Sequence, residues 1–268
     1  MRKSTWGKII LSLGVVTASL TSCEKDDPAS LIPPPLPDQS FVEEFDTVSA
    51  AFQRGWVPIN NSNPKGTGIW VQGGGLQPMF APYSSKGSNA GFIGADYQST
   101  SGTDDVISNW LISPVVTMKN GDVISFYTRT QLLPNAFVAN DSTDYGNNLE
   151  VCINTKNEGT NVGVANDPKS PAFNAATDRG DFQLLFTVNQ PKYDAVNGYW
   201  NYPWAHSLPN LVEPNSYPAK WTRFEIVIGG LNGPTKGRFA FRYYTLDGGS
   251  NGNASGVGID QVVYTSKK

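Results

Sequence analysis

Residues 222–228 read Thr-Arg-Phe-Glu-Ile-Val-Ile, so that Thr222, Phe224, Ile226 and Ile228 fall at every second position. Successive side chains of a strand point to opposite faces, and this spacing lays an apolar row on one face and sets Arg223 and Glu225 on the other. The same alternation recurs at Leu149, Val151 and Ile153, and again at Phe182, Leu184, Phe186 and Val188. Rows of this kind are buried when two antiparallel sheets pack face to face. Outward from these segments, short apolar runs between Gly, Pro and Asn predict strands at 40–46, 68–72, 90–94, 109–113, 122–130, 238–244 and 257–265. No run keeps a helical period beyond two turns. The chain therefore reads as an all-β sandwich of about ten antiparallel strands with few or no helices.

Composition agrees with that reading. Hydrophobic residues make up 39% and aromatics 12%, with 27 glycines and 19 prolines, which describes a loop-rich globular β protein and not a disordered one. The formal net charge of -3 comes from interspersed signs with no basic block, which removes the electrostatic attraction that nucleic acid binding needs. The sequence carries no glycine-rich phosphate loop, no Cys/His metal cluster and no internal repeat. Long connections at 135–147, 156–181 and 189–220 are where binding is to be sought.

The N-terminus reads as a processing segment. Arg2, Lys3 and Lys8 precede an uncharged, largely apolar run from Ile9 to Leu20, too short to span a bilayer permanently. Leu20-Thr21-Ser22-Cys23 then resembles the lipobox of bacterial lipoproteins. The resemblance implies a signal peptide over 1–22 and a diacylglyceryl group on Cys23. Lys25, Asp26 and Asp27 resemble the surface-export signal of Bacteroidetes lipoproteins, which implies display on the outer face of the outer membrane. Residues 23–39, with Pro33, Pro34, Pro35 and Pro37, form an acidic, Pro-rich tether. One domain over 40–268 follows, since no second linker appears. Of the two cysteines, Cys23 is committed to lipid, so Cys152 has no disulfide partner and reads as a small buried hydrophobe.

Ser108-Asn109-Trp110-Leu111-Ile112-Ser113-Pro114 resembles the Trp-Leu-x-Ser-Pro strand of the cleaved-adhesin, or choice-of-anchor J, family. The resemblance continues through Phe41 to Asp46, Gly55-Trp56, Asn120 to Phe126, Asn148 to Ile153, Arg238 to Tyr243 and Gly256 to Val262, in family order across about 40–265. It implies a jelly-roll β-sandwich related to MAM and galactose-binding-like domains, found in surface adhesins and in accessory modules of hydrolases, and it implies no catalysis. Gln261 stands where the family has a second acid after Asp260, and the insertion around Tyr199 is not part of the pattern.

Two sites follow. Jelly rolls of this type hold a structural calcium ion between first and last strands; the matching acids are Glu44 and Asp46, beside Glu43, with Asp260 at the end, and oxygen-only ligation suits calcium. The alternative is that these acids are solvated or bond turns. Separately, Tyr193, Tyr199, Trp200, Tyr202 and Trp204 crowd one loop with Asp194, Asn197 and Asn201. Flat rings stack on sugars while amides and carboxylates bond hydroxyls, so these five rings are the candidate ligand contacts. Packing into a satellite core beneath the loop is the alternative. Trp56 and Trp110 read as core, and His206, alone in a polar loop, reads as solvated.

The function that fits is a lipid-anchored surface protein whose non-catalytic jelly roll binds a glycan or a host or matrix surface ligand, touching the membrane only through its N-terminal lipid. One alternative is a carbohydrate hydrolase drawing acids from Asp104, Asp105, Asp141 or Asp144, though Asp104 and Asp105 are adjacent and point apart in an extended chain. A structural subunit of a surface assembly is the other. Asp46-Thr47-Val48 and Asp141-Ser142-Thr143 also match a short O-glycosylation sequon of exported Bacteroidetes proteins.

Overall fold

The computed structural model describes residues 36–102 and 105–267. The signal peptide expected over 1–22, Cys23, most of the 23–39 tether and Asp104 lie outside the described residues. From Asp38 onward the chain forms one compact unit. Its elements run β1 (Phe41–Glu43), α1 (Val48–Gln53), β2 (Val57–Asn60), β3 (Val71–Gln72), β4 (Ile93–Asp96), a 3-10 turn (Tyr97–Ser99), β5 (Asp105–Ile112), β6 (Val116–Met118) and β7 (Val123–Thr130). There follow β8 (Leu133–Pro134), β9 (Ser142–Thr143), β10 (Leu149–Asn154), β11 (Gln183–Val188), β12 (Lys192–Asp194), β13 (Tyr199–Asn201), β14 (Thr222–Val227), β15 (Thr235–Gly248) and β16 (Gly256–Thr265).

Two six-stranded sheets carry the fold, one ordered β14-β7-β16-β4-β3 with β1 beside β16, the other β11-β10-β15-β5-β2 with β6 beside β15. Every strand pair of both is antiparallel. This is the jelly-roll β-sandwich expected. Its two inner faces meet in one core: Ile124 and Phe126 of β7 and Val257 and Ile259 of β16 face Leu149 and Val151 of β10 and Phe239 and Phe241 of β15. The Phe126 and Phe241 rings meet edge to face at 4.8 Å across the sheets, and Trp56, buried, lies against Phe45, Phe239 and Phe241. Truncating a ring such as Phe241 to alanine is expected to cost about 3–5 kcal/mol.

All ten predicted strands are present, and six more, β2, β6, β8, β9, β12 and β13, are too short or too polar to stand out in the sequence. One alternation is corrected. A bulge between Val151 and Cys152 pairs Val151 with Phe186 but Cys152 with Leu184, inserting an extra residue in β11. Leu185 therefore joins Phe186 against the core while Leu184 is exposed. The outer face of the second sheet is also covered: Trp110, Cys152 and Ala240 pack against Val162 and Phe182 of the 156–182 connection. Arg242 lies there too, fully buried between the rings of Trp110 and Tyr244 and bonded to Glu150 and Asp178.

Candidate functional site

The aromatic insertion is shaped by a small hairpin. Asp194 accepts hydrogen bonds from the backbone N–H groups of Val196 (2.9 Å) and Asn197 (3.1 Å), which closes the turn and pairs Tyr193 with Trp200 across β12 and β13. The rings of Tyr193 and Trp200 lie 5.1 Å apart. Trp200 packs down onto Val106, Ala165, Tyr244 and Leu246. The turn after β15 grips its backbone: the Trp200 N–H donates to Asp247 Oδ2 at 2.6 Å, and Asn253 Nδ2 donates to the Trp200 carbonyl at 3.2 Å. Lys169 pairs with Asp247 at 2.7 Å.

The opposite wall is built on a buried carboxylate. Asp141 accepts from Asn135 Nδ2 (2.8 Å), the Ser207 hydroxyl (2.9 Å), the Ser207 and Leu208 N–H groups (both 3.1 Å) and His206 Nδ1 (2.5 Å). Burial opposes its ionised form, but these donors prevail and hold the carboxyl below the ordinary aspartate range. Trp204 stands over this knot, 5.4 Å from Tyr145 and 6.1 Å from Phe137. Gly146 makes that approach possible, because a Cβ there would lie 2.5 Å from that of Tyr202 and 3.3 Å from the Trp204 ring.

Between these walls opens a cleft of about 950 Å³, lined by Tyr97, Phe137, Tyr145, Tyr199, Trp200 and Trp204, with Asn201, Glu213, Asp247 and the 249–254 turn as its polar part. Of the five predicted ring contacts, Tyr199, Trp200 and Trp204 line the cleft. Tyr193 is 45% exposed behind Trp200. Tyr202 is a correction: its ring is fully buried and its hydroxyl accepts from the Leu246 N–H at 2.8 Å, so it supports the loop from below and meets no ligand. His206 is the second, since its side chain is buried against Asp141 and not solvated. No local pattern signals that pairing, which joins residues 65 positions apart. The Gly-Gly-Ser-Asn-Gly-Asn run at 248–253 is a legible turn; its closeness to the insertion is not.

Of the acids proposed for hydrolysis, Asp141 and Asp144 are each held by several hydrogen-bond donors of the fold. Asp141 is committed as described, and Asp144, fully buried, accepts from the N–H groups of Gly146, Asn147 and Ala205. Burial pushes the Asp144 carboxyl up to about 7. Asp105 begins β5. The buried Cys152 thiol is pushed upward by burial, which disfavours the thiolate a nucleophile needs.

The expected calcium ligands come together only in part. Where β16 exchanges β4 for β1 as neighbour, its backbone bulges at Asp260, whose carboxylate accepts from the N–H groups of Tyr83 (2.9 Å), Ser84 (3.0 Å) and Gln261 (2.6 Å). Burial, with the nearby charge of Asp46 adding to it, raises this carboxyl to about 7. Glu44 turns to Lys86 at 3.5 Å, Asp46 accepts from the Lys86 N–H, and Glu43 is held by Arg54 at 2.6 Å. Among the described residues no three acidic, His or Cys side chains form a group that could hold a metal. What fits oxygen ligation is Asp46, Asp260 and the buried Ser84 hydroxyl, which has no hydrogen-bond partner.

No family model matches the chain, and no curated protein matches it. Among solved structures it is similar to the K1 cleaved adhesin domain of Lys-gingipain from Porphyromonas gingivalis W83, at 14% identity and a TM-score of 0.45 over 85% of this chain and 99% of that one. The K2 cleaved adhesin domain of Lys-gingipain gives 16% and 0.45 over 84% and 99%. A structure of carbohydrate-binding modules from the β-sandwich superfamily gives 10% and 0.36 over 80% and 58%. The first two are named as cleaved adhesin domains, the family that the sequence motifs resemble.

Proposed function

We propose that this chain is a non-catalytic binding domain that takes a saccharide in the aromatic cleft, and that Cys23 anchors it by lipid to the outer surface of the outer membrane. The cleft carries the reading. It sets the exposed Tyr199 ring and Trp204 beside Asn201, Glu213 and the 249–254 turn. Apolar sugar faces stack on such rings while hydroxyls bond the polar rim. Affinity in the millimolar to micromolar range, about 4–8 kcal/mol, suits a site of this openness. Calcium, held through Asp46 and Asp260, belongs to the proposal as a structural ion and not as part of the cleft.

A glycan-array screen of the full chain, followed by calorimetry on the hits, tests the reading. Tyr199→Ala and Trp204→Ala should weaken binding at least tenfold with the fold intact. Absence of any bound glycan, or hits indifferent to both substitutions, would overturn it. For the anchor, Cys23→Ala should abolish lipid labelling and membrane association; retention of both would refute it.

A further inference from the structure

The outer face of the first sheet holds a cation with no oxygen acceptor among the described residues. On β7, Thr128 and Thr130 are buried, while Tyr127 and Arg129 alternate with them on the other face. Across the ladder from Arg129 stands Gly258. A Cβ at Gly258 would lie 2.7 Å from the Phe80 ring, so only glycine lets that ring seat on bare strand backbone. Phe80 is then stacked on Phe92 at 4.7 Å and meets Trp221 edge-on at 5.3 Å. The Arg129 guanidinium lies over it, 4.3 Å from the ring centre.

Every other arginine among the described residues has an oxygen acceptor. Arg54 holds Glu43, Arg179 holds Glu150, Arg223 holds Glu225, Arg238 holds two carbonyls, and Arg242 holds Glu150 and Asp178. The Arg129 side chain alone among them makes neither an ion pair nor a hydrogen bond to an oxygen, and its Nε–H is buried without an acceptor. Arg129 is half-buried, and partial burial lowers its pKa with no neighbouring acid opposing. A neighbouring ring completes the surface: Tyr83 stacks on Tyr127 at 3.6 Å, shares a hydroxyl hydrogen bond of 2.8 Å with it, and is 43% exposed. Tyr127 and Arg129, two residues apart, stand about 7 Å apart along the strand.

The geometry points to a second binding site, in which Arg129 takes the carboxylate of an acidic saccharide, a hexuronic acid, whose ring lies against Tyr83. A guanidinium matches a planar carboxylate through two parallel N–H donors, which a neutral sugar does not offer. A sugar ring lies within reach of the tyrosine pair, whose hydroxyls can bond its hydroxyls. None of these residues lines the aromatic cleft, so this site stands whether or not that one binds sugar.

Glucuronate, glucose and inorganic sulfate, titrated separately into the full chain at low salt by calorimetry, test it. Glucuronate should bind at least tenfold more tightly than glucose. Arg129→Gln should remove that difference while the melting temperature stays level or rises, because the substitution removes a half-buried charge that has no oxygen acceptor; a purely structural arginine would lower it. Tyr83→Ala should weaken glucuronate and leave sulfate unchanged, which keeps the test valid if the Arg129 variant fails to fold. Equal binding of glucuronate and glucose, or glucuronate binding untouched by Arg129→Gln, would overturn the site. Sulfate binding as tightly as glucuronate, with both insensitive to Tyr83→Ala, would reduce it to a bare anion contact and overturn the saccharide assignment.

Discussion

His206 Nδ1 lies 2.5 Å from Asp141 Oδ2, and through this contact the end of the aromatic insertion is fixed to the segment that leads into β9. The backbone bridge between Thr143 and His206 runs alongside. Trp204, two residues earlier, has its ring 6.0 Å from the imidazole, so the pair positions a cleft ring without touching ligand. His206→Ala should therefore lower the melting temperature by several degrees and weaken saccharide binding together. Ligand binding that stays at the wild-type level in a variant with a clear loss of stability would separate the wall from the site.

Asp144 gives the domain a pH dependence of definite sign. Its folded carboxyl titrates near 7, raised by burial above the ordinary value of 3.8, so between those values the folded state binds a proton that the unfolded chain has released. Stability from this group is greatest below about 4 and is lost as pH rises through 7. Each pH unit inside the window is worth up to about 1.4 kcal/mol. Thermal unfolding at pH 5 should thus lie above that at pH 8, and Asp144→Asn should flatten the difference. A wild-type profile that rises from pH 5 to 8 would contradict the assignment.

Calcium should act on the seam between the first and last strands. An ion bound only to the folded state at 100 times its dissociation constant adds about 2.7 kcal/mol, enough to shift the unfolding midpoint measurably. Melting with added calcium, with chelator, and in Asp46→Asn distinguishes a held ion from ordinary surface acids. A midpoint indifferent to both calcium and chelator removes calcium from the protein.

The sandwich was legible because its strands obey a local rule. Leu149, Val151 and Ile153, and likewise Phe224 and Ile226, face the core as their spacing predicts. The exception at Leu184 arises from a bulge, and a bulge depends on the partner strand, not on the run itself. The cleft was legible only as a crowd of rings. Tyr199 and Tyr202 are chemically alike and three positions apart, yet one is 46% exposed and the other fully buried. What separates them is the Leu246 N–H, brought from β15 to bond the Tyr202 hydroxyl. The same holds for Glu44, which the sequence places beside Asp46 while Lys86, forty-two positions on, draws it away.

Arg242 binds the long 156–182 connection to the second sheet, and its removal should release that connection before it unfolds the core. The guanidinium is fully buried, with Nη1 3.1 Å from Asp178 and 3.2 Å from Glu150, and Nε donating to the Ser108 hydroxyl at 2.8 Å. Asp178 belongs to the covering connection and Glu150 to β10, so the cation is the bridge between them. Arg179 adds a second ion pair to Glu150 at 2.5 Å. Asp178→Ala leaves Arg242 with one carboxylate where it had two, and breaking a buried pair from one side costs about 3–5 kcal/mol. Replacing both Arg242 and Asp178 by apolar residues of similar volume should recover part of that loss, since no charge is then left buried alone. Hydrogen exchange should locate the effect of the single change in 156–182, with amides of β7 and β16 still protected, while the double change restores protection to the connection. Loss of protection spread evenly over both sheets would show instead that the cluster is part of the core and not a clasp upon it.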